Sequence, residues 1–154
     1  MIIRELHNRL SSLRTPETLT ILRNDHLGDL ILTLPLLQQA ADWVGSGNLH
    51  VVIDEPYVPI LEETTIDCSI HTDPKERISG LAKILADTGA DTLITATSTN
   101  HNSLASQLSG IPQRLGFGYK VHALCFTHPL FVHRKNPPRH EAEFCLDYLR
   151  KFPE

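Results

Sequence analysis

Apolar residues recur along this chain at two spacings that alternate. Ile2, Ile3, Leu6, Leu10 and Leu13 fall three and four apart, which predicts a helix over residues 2–14 with Thr15-Pro16 as its stop. Leu19-Thr20-Ile21-Leu22-Arg23 is a short β-rich run, and Asn24-Asp25-His26 reads as the turn that follows it. Leu27, Leu30, Leu34, Leu37 and Ala41 then share one helical face. Pro35 lies inside that pattern and lacks a backbone donor, so a kink or a broken first turn is expected there.

The alternation continues downstream. Residues 49–53 read as a strand, 57–63 as a short helix and 68–71 as a weak strand. Residues 77–88 form a helical pattern with Ile78, Leu81, Ile84 and Leu85 inward, closed by Gly89. Residues 91–95 predict a strand that runs into the polar stretch 96–102, and 103–108 a short helix ended by Gly110. Arg114-Leu115-Gly116-Phe117 is a further short strand, Pro137-Pro138 breaks the chain, and 140–152 predicts a last helix with Phe144, Cys145, Tyr148 and Leu149 inward. Strands alternating with helices of about ten residues imply βαβ units and a parallel sheet covered on both faces. Ligands of such sheets bind beyond the carboxyl ends of the strands, near the point where strand order reverses. The loops 24–29, 54–57, 72–76, 96–102 and 116–122 are therefore the places to seek a site.

At 154 residues the chain has the length of one domain, and 41% hydrophobic with 21% charged residues is ordinary globular composition. A formal charge of −4 argues against a polyanion binder, and three tyrosines with one tryptophan supply few base-stacking platforms, so no nucleic-acid partner is expected. Cys68, Cys125 and Cys145 lack metal-ribbon spacing and read as reduced thiols of a cytosolic protein. No secretory leader is evident, and the longest apolar stretch, eight residues from Leu30 to Leu37, is far short of the roughly 20 a membrane span requires.

The distribution of charge says more than its total. Residues 1–91 carry seven basic and fourteen acidic side chains, whereas residues 92–140 hold Arg114, Lys120, Arg134, Lys135 and Arg139 with no Asp or Glu. Five of the nine histidines, at 101, 122, 128, 133 and 140, share that acid-free stretch. It is either a solvated surface with a gap in acids or a face that meets phosphate or carboxylate groups.

Most familiar chemical signatures are missing. There is no Walker A loop and no GxSxG elbow, and both Gly45-Ser46-Gly47 and Gly116-Phe117-Gly118 lack the third glycine of a dinucleotide fingerprint. His140-Glu141 lacks the second histidine of a metalloprotease helix, and His122, His128 and His133 match no zinc template. One stretch remains: Leu22-Arg23-Asn24-Asp25-His26-Leu27-Gly28-Asp29, followed by an apolar Leu/Ile/Thr run to Pro35-Leu36-Leu37. A strand enters a tight turn, glycine permits close backbone approach, and Asp29 falls in the first turn of a helix, where the macrodipole favours a negative charge. Read from the residues alone, Asp29 is either a helix-terminus residue or a catalytic carboxylate.

That stretch resembles the N-terminal signature of glycosyltransferase family 9, the ADP-heptose:lipopolysaccharide heptosyltransferases. Three later segments follow in the family's order: Ala90-Asp91-Thr92-Leu93-Ile94, Arg114-Leu115-Gly116-Phe117, and the His140-led helix. The resemblance runs from about residue 18 to 152. It implies a Rossmann-like parallel sheet with helices on both faces, equivalent to the N-terminal half of a two-domain GT-B enzyme. Residues 1–154 would be a single acceptor-side domain without its nucleotide-sugar domain, inactive alone. The turn Asn24-Asp25-His26 departs from the family, many of whose members have Ser or Thr there.

The activity implied is inverting heptosyl transfer from ADP-heptose to a lipopolysaccharide core acceptor, without cofactor or metal, in the cytoplasm and in peripheral contact with the inner membrane. The resemblance makes Asp29 the general base that takes the acceptor hydroxyl proton. Gly28 would admit the acceptor to the backbone, and Asn24, Asp25 and His26 would line its pocket. Arg114, Lys120, Arg134 and Lys135 would hold acceptor phosphates. Two other classes fit the residues: a non-catalytic binder of phosphorylated saccharide, and a flavodoxin-like module with Asp25 and Asp29 at a metal or phospho-acceptor site.

Overall fold

The computed structural model describes residues 1–118, 121–131 and 140–154. Lys120, His133, Arg134, Lys135 and Pro137-Pro138 lie outside them, as does the side chain of His122. Helix α1 (Ile2–Leu10) precedes strand β1 (Leu19–Arg23), and α2 (Leu27–Val44) leads to β2 (Leu49–Ile53). A 3-10 turn (Glu55–Tyr57) and α3 (Val58–Glu62) connect to β3 (Ser69–Thr72), followed by α4 (Ile78–Asp87), β4 (Thr92–Thr95), α5 (Asn100–Leu108) and β5 (Gln113–Phe117). A second 3-10 turn (Val121–Cys125), β6 (His128–Leu130) and α6 (Glu141–Arg150) complete the order.

The six strands form one sheet in the order β3-β2-β1-β4-β5-β6, every pair parallel. Successive strand residues point to opposite faces, and the core divides accordingly. Leu19, Ile21, Val51 and Ile53 pack with Leu36 and Leu37 of α2 and Tyr148 of α6 on one face. Leu22, Val52 and Leu93 pack with Leu81 and Leu85 of α4 and Ala105 of α5 on the other. The α/β architecture expected from the alternation is thus the one observed. Gly89 closes α4 as expected, at φ +69°, a conformation that side-chain-bearing residues rarely adopt.

Three local expectations change. Helix α2 runs unbroken past Pro35; the carbonyl that loses its donor is that of Ile31, an exposed residue on the solvent side of the helix. Helix α5 begins at Asn100, because Thr99 caps it by accepting from the Asn102 amide at 3.1 Å. The strand β6 escapes the sequence pattern because Pro129 argues against it. Proline is tolerated there because β6 is an edge strand.

Glycine in β5 has a packing cause. A Cβ on Gly116 would fall 2.2 Å from the ring of buried Phe126, so the strand and the ring can only meet at a glycine. Helix α1 is seated by polar groups: Glu5 meets Arg114 and Arg9 donates to the Leu124 carbonyl, while beyond the helix the Arg14 amide donates to Gln113 Oε1 at 2.6 Å. No α1 side chain is buried. Cys68, Cys125 and Cys145 form no disulfide, and Cys125 and Cys145 are buried. Among the described residues no helix is long and apolar enough to cross a membrane.

Candidate functional site

Strand order reverses between β1 and β4, so the turns that leave these two strands flank a crevice at the carboxyl edge of the sheet. Arg23, the last residue of β1, is 5% exposed and organises the first turn. Its Nη1 donates to the Ala96 carbonyl at 2.9 Å. Its Nη2 lies 3.1 Å from Asp29 Oδ1, and its Nε lies 3.0 Å from Asp25 Oδ1, off the line of a hydrogen bond. One buried guanidinium therefore binds the β4 loop to both acidic residues of the β1 turn, and charge-assisted contacts of this kind hold orientation well.

Asp29 is the third residue of α2. With Oδ1 on Arg23, its second oxygen stands 3.5 Å from His26 Nδ1, and the carboxylate is 35% exposed. His26 itself is 90% exposed. Gly28 has ordinary helical geometry, and a Cβ there would meet nothing within 4 Å. The space above the first turn of α2 is open, so nothing within the protein demands glycine at that position.

Asp25, His26 and Asp29 each bring one potential ligand atom to within 4.8 Å of the others. Arg23 already supplies positive charge to both carboxylates, which weakens the case for a cation there. Burial pushes the Asp25 carboxyl above its ordinary range; Arg23 opposes the shift and Asp29 adds to it. The folded state then holds more protons than the unfolded chain from the unfolded carboxylate range, about pH 4, up to the raised value. Stability falls as pH rises through that window and stays lower above it. Asp25→Asn should accordingly raise the thermal midpoint at pH 7 and lose this advantage at pH 3, as followed by circular dichroism. Equal midpoints for both proteins at every pH would contradict this account.

Beside this turn lies a second, hydrogen-bonded cluster. Asn24 Nδ2 donates to Asp73 Oδ2 at 2.6 Å and to Asn102 Oδ1 at 2.9 Å, and Asn102 Nδ2 returns a bond to Asn24 Oδ1 at 2.7 Å and another to the Thr97 carbonyl at 2.8 Å. Lys75 adopts φ 53°, anchored by its amide on Asp73 Oδ1 at 2.9 Å. Its Nζ reaches the Asn24 carbonyl and Asp54 Oδ1, both at 2.7 Å. The loops after β1, β2 and β3 and the start of α5 thus meet through five side chains, those of Asn24, Asp54, Asp73, Lys75 and Asn102. They border a cleft of ≈ 350 Å³ lined among others by Asn24, Asp25, Lys75, Thr97 and His101.

The structure gathers Asn24, Asp25, His26, Gly28 and Asp29 at this end of the sheet, but it moves Arg114 elsewhere. Arg114 is wholly buried near the amino end of β5. Its Nε donates to the Cys125 carbonyl at 3.0 Å and its Nη1 to the Ile111 carbonyl at 2.8 Å, while Nη2 meets Glu5. The expectation that it binds acceptor phosphate is corrected, because no donor-bearing edge of it faces the crevice. Lys120, Arg134 and Lys135 lie outside the described residues. Among the described residues, Lys75 joins Arg23 as a cation at the crevice, from a loop that the sequence marked by position alone. Arg23 had its signal too, as the charged residue closing an apolar strand directly before the acidic turn.

No protein-family model matches the sequence, and no curated protein matches it. Among solved structures, the chain is similar to a glycosyl transferase of family 9 from Veillonella parvula, with a TM-score of 0.73 at 20% identity over 93% of this chain. It is also similar to ADP-heptose lps heptosyltransferase II from E. coli, with a TM-score of 0.65 at 13% identity over 77% of this chain. The matched region spans 42% of the first of those chains and 36% of the second. The chain therefore has a Rossmann-like α/β fold shared with part of each of these glycosyltransferases.

Proposed function

We propose that this chain is the acceptor-side domain of an inverting glycosyltransferase, completed by a second domain that holds the nucleotide-sugar. The observation that carries this reading is Asp29 at the reversal point of strand order, a partly exposed carboxylate with one oxygen fixed by Arg23 at 3.1 Å and the other facing the exposed His26 at 3.5 Å. The sequence resemblance and the fold shared with part of two glycosyltransferases support it. In the proposed step the Asp29 oxygen that Arg23 does not hold takes the proton of an acceptor hydroxyl as the hydroxyl oxygen forms its bond to the anomeric carbon. The bond from that carbon to the nucleoside diphosphate breaks on the opposite face, and the diphosphate leaves with the electron pair. The donor we infer is ADP-heptose, and the acceptor is a phosphorylated lipopolysaccharide core saccharide. Lys75, half-exposed at the cleft, joins Lys120, Arg134 and Lys135 as a candidate for acceptor phosphate.

Binding by the 154-residue chain tests the reading directly. A phosphorylated core saccharide should shift amide resonances of Asn24, Gly28 and Lys75, with an affinity that weakens as salt is added. ADP-heptose should shift none of them. Gly28→Ala should leave the thermal midpoint unchanged or raise it slightly, since alanine outranks glycine in a helix by roughly 0.5–1 kcal/mol, yet it should weaken saccharide binding. Saccharide binding unaffected by Gly28→Ala, or ADP-heptose binding at these amides, would count against the assignment. Because Asp25, His26 and Asp29 approach one another, the second reading is a metal site, and micromolar magnesium binding lost in Asp29→Asn would favour it.

A further inference from the structure

Helix α1 is amphipathic, but it is turned the wrong way for a core helix. Its polar residues Glu5 and Arg9 face the protein, where they meet Arg114 and the Leu124 carbonyl. Its apolar residues face water: Ile2 is 81% exposed, Ile3 84%, Leu6 55% and Leu10 78%. A helix that buries apolar side chains on its own protein gains from doing so, and α1 gains only polar contacts. Contact of Arg9 with Leu124 brings the second 3-10 turn alongside, and there Val121 and Leu124 are exposed as well. An apolar strip therefore runs from α1 along the segment that joins β5 to β6, larger than the scattered single residues of an ordinary surface.

The charge around this strip indicates its occupant. Residues 1–14 contain three arginines and one acid, Glu5, which is already paired with Arg9 and Arg114. Residues 92–140, which include the 3-10 turn and β6, contain no acid at all. The remainder of the chain carries all the other seventeen Asp and Glu residues. A second copy of this chain docking through the same face would set positive against positive, since a two-fold contact joins like surfaces. A bilayer rich in anionic lipid offers both an apolar layer for the isoleucines and leucines and a negative surface for the arginines.

We infer that α1 lies in the surface of an anionic bilayer, its Ile2, Ile3, Leu6 and Leu10 among the lipid chains and Arg4 at the headgroups. The family resemblance implies membrane contact without placing it; the assignment to α1 uses none of the residues at the carboxyl ends of the strands, so its failure and that of the glycosyl-transfer reading are distinguishable. Co-sedimentation of the whole chain with vesicles of phosphatidylglycerol and phosphatidylethanolamine tests it, with phosphatidylcholine vesicles as the neutral surface. Binding should occur to the anionic vesicles and weaken with salt. The variant carrying Ile3→Asp, Leu6→Asp and Leu10→Asp should bind at least about tenfold more weakly at an unchanged thermal midpoint, because α1 buries no side chain. Arg4→Glu, which leaves the apolar face intact, should weaken binding to anionic vesicles alone. Equal pelleting of wild type and triple variant, or none with anionic vesicles, would overturn the inference. A dimer in sedimentation velocity that the triple variant dissolves would overturn it too, and give the face to a second copy.

Discussion

Asp29→Asn is expected to lower sugar transfer by about 10²–10⁴-fold once a nucleotide-sugar domain is supplied, the range typical for loss of a positioned proton acceptor. The fold should survive, because asparagine keeps the shape of the side chain and Arg23 still holds the Ala96 carbonyl and Asp25. The loss should fall mainly on kcat, since the carboxylate acts when the proton moves and not when the saccharide binds. Arg23→Lys is the informative companion. Lysine keeps the charge but cannot fork to Ala96, Asp25 and Asp29 together, so Asp29 would be present yet loosely held. Turnover should drop with little change in saccharide affinity. Near-normal turnover of Asp29→Asn would return that residue to the role of a charge at a helix terminus.

The second large effect is on stability. Arg114→Met should destabilise the chain by several kcal/mol in urea unfolding. The guanidinium is fully buried, and its removal leaves the Ile111 and Cys125 carbonyls without their partner. Each uncompensated buried acceptor costs about 1–3 kcal/mol. Burial draws the pKa of Arg114 below its ordinary value while Glu5 pulls it back, a balance that loss of Glu5 would tip toward instability. Glu5→Gln should therefore be milder than Arg114→Met. Were Arg114 a phosphate ligand instead, Arg114→Met would weaken saccharide binding at unchanged urea midpoint.

The parts of the fold legible in the sequence were those set by local periodicity. Leu19 to Arg23 and Leu49 to Ile53 read as strands, and α2 and α4 as helices, because each is long and apolar enough to override its neighbours. The turn from Asn24 to Asp29 was legible as a site because strand, polar turn and helix follow within a few residues. What stayed hidden depends on partners far along the chain. Arg114 has the same side chain whether it meets a phosphate or Glu5, and only packing of α1 against β5 decides between them. Asn102 sits in a polar run that reads as loop, yet its amide is locked to Asn24 across two elements. Lys75 gained its place from a backbone turn that Asp73 stabilises, and such turns leave only a weak compositional trace.

The order of the strands also has a bearing on how the chain acquires its shape. The central strand β1 is made early, but its partners come late: Leu19 is registered with Leu49 on one side and with Thr92 on the other. Until β4 and α5 have been synthesised, β1, which the finished fold buries along its whole length, has one open edge and no cover from α5. Loops of that length must close before the pairing rewards them, which slows folding relative to helical bundles of the same size. During synthesis the segment 19–23 is consequently exposed to wrong partners, and the solubility of the nascent chain depends on how soon the residues up to β4 and α5 emerge.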